Sequence, residues 1–105
     1  MQTKQIIFKQ AGTEEIIIAR ELTFAEYEEY TRILQDRNET NFHRQTINIM
    51  VRFAEDQQGI RKFSDSMPID GMKAKEVLTT AYAFGYAIAE LNTFTKEDTD
   101  AMVKN

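Results

Sequence analysis

The chain has 105 residues, 42% hydrophobic and 29% charged, which fits one soluble domain with a modest core, residues 1–105, and argues against disorder. A formal net charge of -4 disfavours binding dominated by nucleic-acid phosphates, and the basic residues Arg32, Arg37, Arg44, Arg52, Arg61 and Lys62 are interleaved with acids rather than striped. The absence of cysteine excludes disulfides, thiolate catalysis and cysteine-ligated metals.

The first 20 residues read as a β-hairpin. "KQIIFKQ" and "EEIIIAR" are rich in β-branched residues and flank Ala11-Gly12-Thr13, where Gly12 can supply a positive φ. Ile6 and Phe8 point one way and Ile7 the other; Ile16 and Ile18 oppose Ile17 and Ala19. Both faces are therefore apolar, and a lone hairpin is marginal in water. The second face calls for a helix, another strand or another chain.

Residues 23–105 read as helical. In "LTFAEYEEYTRILQDR", Thr23 and Glu26 form a T-x-x-E capping box, Leu22 can staple to Tyr27, and Tyr27, Tyr30 and Leu34 make the apolar stripe. A second helix is expected over about Asn41 to Glu55 with Ile47, Met50, Val51 and Ala54 inward, followed by the loop "DQQGIRKFSDSMP". Asp70 sits where an N-cap would start the longest helix, Met72–Leu91, with Pro68 just before it. Asp70 is thus read as a helix cap before it is read as a ligand.

That long helix carries two stripes. Val77, Ala81, Phe84, Ile88 and Leu91 form one; Leu78, Tyr82, Gly85 and Ala89 form a second about 100° round, bordered by Tyr86. Only Glu76, Thr79, Ala83 and Glu90 suit water. The second stripe, Leu78, Tyr82, Gly85, Tyr86 and Ala89, is either a homo-oligomeric or partner-binding surface or the far side of a central helix in a monomer. A mid-helix glycine costs about 1 kcal/mol relative to alanine, so a close backbone approach is one reason for Gly85. "TKEDTDAMVKN" adds a short helix capped by Thr95, with Asp98 three residues on. The fold class is α+β: an N-terminal hairpin packed on a small bundle of three to four helices.

No residues converge on chemistry. His43 is the only histidine, which excludes H-E-x-x-H and multi-histidine metal sites. Asp36, Asn38 and Thr40 imitate the start of a calcium loop, but the turn glycine is missing and Ile47 stands where a bidentate Glu belongs. No phosphate-binding glycine loop is present, and acids adjacent in sequence, such as Glu28 and Glu29, diverge on a helix. The expectation is a non-enzyme without metal or cofactor. "MQTKQIIFKQ" lacks the apolar run of a signal peptide, and Val77–Ala89 is shorter than the roughly 20 residues of a membrane span. A cytoplasmic protein without membrane contact is expected.

The order of elements, with "INIMVRFAED" in the middle-helix position and then "FSDSMPIDGMKAKEVL", resembles the tail assembly chaperones of long-tailed bacteriophages. The matching residues are Phe63, Ser64, Asp70, Gly71 and Ala74. The turn Ala11-Gly12-Thr13 departs from that family's usual N-G-K, and an extra residue sits around Met67-Pro68. The resemblance implies a non-catalytic factor in the host cytoplasm. It would shield the helical tape measure protein while tail tube subunits assemble around it, with flexible Met50, Met67 and Met72 helping its surface adapt. Two other readings stand beside it. One is another small phage morphogenesis protein such as a head–tail connector. The other is a small regulatory dimer, antitoxin or DNA-binding partner, in which Phe42, Arg44 and Arg52 would face a nucleic-acid groove, against the acidic balance.

Overall fold

The computed structural model describes residues 2–10, 12–63 and 71–104. It is an α+β domain, an N-terminal antiparallel hairpin followed by helices. The elements run β1 (Thr3–Gln10), β2 (Thr13–Arg20), α1 (Phe24–Leu34), α2 (Phe42–Phe53), α3 (Ala74–Asn92) and α4 (Lys96–Met102). No helix among the described residues is long and apolar enough to cross a membrane.

The hairpin register pairs Ile6 with Ile17 and Lys4 with Ala19. Gly12 takes φ 83°, the left-handed conformation that the tight reversal requires and that glycine adopts without strain. Alternation sends Ile6, Phe8, Ile17 and Ala19 to the core, while Ile7 remains half exposed. The segment after α2 gives β2 a further partner. Ile18 N–H donates to Glu55 O at 2.8 Å, and Glu55 N–H returns a bond to Ile18 O at 3.2 Å. A tight turn over Asp56–Gly59 then brings Lys62 N–H back to Ala54 O, and Phe63 meets Phe8 edge-to-face at 5.2 Å. The region expected to be a plain loop is in part a third extended layer.

Helix α3 is the centre. Val77, Thr80, Ala81, Phe84, Ala87 and Ile88 are buried, packed by the hairpin on one side and α2 on the other. The expected core stripe is confirmed, with Leu91 only partly buried. Its start is corrected: the helix begins at Ala74 with Lys73 in the N-cap position and no side-chain cap. Asp70, with the whole of "SDSMPID", lies outside the described residues. On α2 the inward face is wider than expected, adding Ile49 and Phe53 to Ile47, Met50 and Ala54. This helix packs against both α3 and α1, so one stripe understates its buried arc. On α1 nothing is fully buried; Tyr30 and Ile33 lean on the core, while Leu34 is 44% exposed.

Polar ties fix the joints. Thr23 and Glu26 form the expected capping box, as do Thr95 and Asp98. Arg20, at the end of β2, donates to both carboxylate oxygens of Glu26 (2.9 and 2.7 Å) and to Glu55 (3.1 Å), joining the hairpin, α1 and the post-α2 segment. Asn92 Oδ1 accepts from Leu22 N–H at 2.7 Å, and its amide donates to Ile88 O at 2.9 Å, pinning the β2–α1 connection to the end of α3. Arg52 pairs with Glu29 through two bonds of 2.6 and 2.9 Å, holding α1 against α2.

The hydrogen bonds from Arg20 hold the Glu26 carboxyl down at about 2, below its ordinary 4.5, although partial burial opposes the shift. A lowered folded-state pKa gives stability that is present above pH 4.5 and lost as pH falls toward 2. Glu26→Gln should therefore cost about 1–2 kcal/mol at pH 7. The gap between variant and wild type should shrink by roughly half at pH 3, as read from urea denaturation. An equal gap at both pH values would show that the charge of Glu26 is not the cause.

Candidate functional site

The described surface has one clearly apolar groove, built where α1 leans on α2 rather than on α3. Tyr30 and Leu34 of α1 form one wall; Phe42, Thr46 and Ile49 of α2 form the floor; Tyr82, Gly85 and Tyr86 of α3 form the other wall. Its volume is about 250 Å³, below the roughly 300–1,000 Å³ of sites that enclose small molecules. That space suits one or two inserted side chains. Phe42 is 67% and Tyr86 72% exposed at its rim, and large aromatic groups left in water beside an apolar trough mark an interaction surface.

The aromatic wall is ordered by its own contacts. The Tyr82 hydroxyl and His43 Nδ1 lie 2.9 Å apart, with the rings edge-to-face at 5.7 Å, so the α3 wall is tied to the first turn of α2. Tyr82 meets Tyr86 at a tilt, centroids 6.3 Å apart, and Tyr30 meets Phe53 edge-to-face at 6.3 Å. Burial pushes the Tyr30 phenol above its ordinary value, with Tyr27 adding to the shift, so this wall stays uncharged. Asn41 caps α2 by accepting from His43 N–H and Arg44 N–H, which sets the direction in which Phe42 leaves the helix.

Of the five residues expected to form a partner-binding stripe, the structure brings Tyr82, Gly85 and Tyr86 together in this groove. Leu78 does not join them; it packs at the core edge in a separate depression with Arg44, Ile47 and Met72. Ala89 is half buried and lies beyond the groove lining. Of the α1 wall and the α2 floor, sequence reasoning marks only Phe42 for a site, as a nucleic-acid contact, and Tyr30 and Leu34 only as members of an apolar stripe. Met50 is fully buried and supplies no adaptable surface; Met72 packs against the core, and Met67 lies outside the described residues. The residues considered for reading nucleic acid do not share a face. Phe42 enters the groove, Arg44 lines the other depression, and Arg52 is turned onto Glu29. Among the described residues no cluster of three His, Asp or Glu side chains could hold a metal ion.

Gly85 is not forced by crowding within the molecule. A Cβ there would meet Thr46 Cγ2 at 3.6 Å, an ordinary contact, and no other atom within 4 Å. Gly85→Ala should therefore stabilise the domain by about 0.5–1 kcal/mol through helix propensity, measured by thermal or urea unfolding. A loss of stability instead would mean that α2 and α3 tolerate no added atom.

Comparison with protein-family models, with curated proteins and with solved structures finds no match to this chain.

Proposed function

We propose that the protein is a non-catalytic assembly chaperone of the phage-tail kind, whose α1–α2–α3 groove shields an apolar helix of the tape measure protein while tail tube subunits are recruited. The observation that carries this reading is the open aromatic groove with Phe42 and Tyr86 exposed at its rim. The order of elements and the "FSDSMPIDGMKAKEVL" resemblance supply the identity of the partner. An apolar helix lays side chains spaced i, i+3, i+4 and i+7 into such a trough.

The magnitudes suit a temporary cover. Burying what remains exposed of Phe42 and Tyr86 contributes roughly 2–4 kcal/mol before the cost of association. A single groove on a helix therefore binds weakly, no tighter than about millimolar. Many copies seated along one long helix hold it collectively, and each can leave singly when a tube subunit takes its place.

The test is capture of a synthetic amphipathic helix with apolar residues at i, i+3, i+4 and i+7, or of a tape measure segment where a neighbouring gene encodes a long coiled-coil-rich chain. Tyr86→Glu and Phe42→Glu should each weaken capture at least about tenfold, with circular dichroism unchanged because both positions are already mostly exposed. Undiminished capture by both variants would place the binding surface elsewhere and end this reading of the groove.

A further inference from the structure

The groove is one half of an unfilled contact, and the C-terminal arm has the character of the other half. Every residue from Thr93 to Lys104 is exposed, including three large apolar ones: Phe94 at 75%, Met102 at 86% and Val103 at 66%. The seven-residue helix α4 has a capping box but buries nothing. Helices shorter than about 12 residues are marginal in water without packing. The arm is thus a helix that lacks a surface, in a chain whose groove lacks a helix.

The arm leaves α3 through an extended connection, and none of its residues lines the groove. Thr93 (φ -87°, ψ 135°) and Thr95 (φ -111°, ψ 169°) are both extended. The connection Thr93-Phe94-Thr95 has no glycine to make the left-handed residue of a tight helical reversal. Two β-branched threonines favour the extended form. A second hydroxyl bond, from Thr93 Oγ1 to Ala89 O, secures the end of α3 in this direction.

Size matches, and charge does not oppose docking. The arm's helix carries Lys96 against Glu97, Asp98 and Asp100, a net of -2. The segment 32–42 that forms one end of the groove carries Arg32 and Arg37 against Asp36 and Glu39, a net of 0 in a chain of -4, so this end does not repel an acidic arm. Its two carboxylates are turned inward on their own loop, accepting from Asn38 N–H and Asn41 N–H. If each of two copies contributes an arm and a groove, nearly twenty residues a side take part. That approaches the roughly 20–30 residues a side of a stable standard interface.

We infer that the arm Phe94–Val103 of one copy docks in the α1–α2–α3 groove of a second copy, with reciprocal exchange closing a two-fold dimer. This rests on the reading of the groove as a helix-binding site, and adds that the site is self-covered until a partner helix displaces the arm. Exchange of like for like satisfies both grooves and both arms, so assembly stops at two.

Sedimentation equilibrium on the full chain tests it. The wild type should dimerise. An arm variant, Phe94→Glu with Met102→Glu, and a groove variant, Phe42→Glu with Tyr86→Glu, should each dimerise at least about tenfold more weakly. All four positions are mostly exposed, so folding is spared, with circular dichroism as the check. An equimolar mixture of the two variants should recover association, because one intact arm then meets one intact groove. Groove-on-groove contact predicts no such recovery, and its absence overturns the inference. So does a wild type that stays monomeric to roughly 500 µM, or an arm variant that dimerises as the wild type does. Capture of the partner helix by the arm variant separates the two ideas. Retained capture beside unchanged dimerisation removes the arm's role alone, and lost capture removes the groove's function as well.

Discussion

The structure depends on how α3 is covered. This helix is apolar around most of its circumference, and among the described residues a hairpin and three other helices are the elements that can shield it. The hairpin covers one side, supplying Ile6, Phe8, Ile17 and Ala19 to the core, and α2 covers another, supplying Ile47, Met50 and Phe53. That leaves the sector of Tyr82, Gly85 and Tyr86 for α1. At 1.5 Å per residue the 11 residues of α1 span about 16 Å against about 28 Å for the 19 of α3. A short helix that already leans on α2 cannot close the remaining gap. The groove is the sector left over.

The ties that set this geometry lie away from the groove itself. Arg20 meets Glu26 and Glu55 at the junction of three segments, Asn92 bonds the β2–α1 connection, and Arg52 holds Glu29. An isolated exposed ion pair contributes at most about 1 kcal/mol. Arg20 is different in kind, because one side chain is ordered once and then serves two carboxylates, with its own side chain and both partners only about one-fifth exposed. These contacts fix the angle at which α1 leaves the hairpin, and so the width of the trough between Tyr30 and Tyr86. Polar geometry at the joint determines apolar geometry at the site.

Local rules made much of the fold legible. The Thr23–Glu26 and Thr95–Asp98 boxes each span four residues and depend on nothing distant, and the Val77–Ile88 stripe repeats on the period of the helix that carries it. What escaped the sequence was tertiary. Ile49 and Phe53 fell outside the stripe read for α2 because that helix has neighbours on two sides, which no single period reveals. Met50 has the chemistry of an adaptable surface residue and sits wholly inside. The start of α3 at Ala74, without a side-chain cap, shows that the Asp70-Gly71 signal marks a region rather than a boundary. Half the candidate site was visible as Tyr82, Gly85 and Tyr86; the rest, Tyr30, Leu34, Phe42 and Thr46, becomes a site only when α1 and α2 are set beside α3.

An uncovered apolar groove carries its own hazard, since any exposed aromatic trough in a folding or assembling mixture attracts other apolar segments. Reciprocal arm docking answers that hazard with the chain's own material. It also sets the terms on which a partner binds: only the fraction of grooves left open at a given moment is competent, and the apparent affinity for a partner helix falls by that fraction. A short isolated segment meets this reduction in full. A long repetitive helix does not, because each seated copy holds the next site at high local concentration. On the proposed reading, the same weak groove would discriminate by the length and repetition of what it covers, the selectivity that a temporary shield for one very long helix requires.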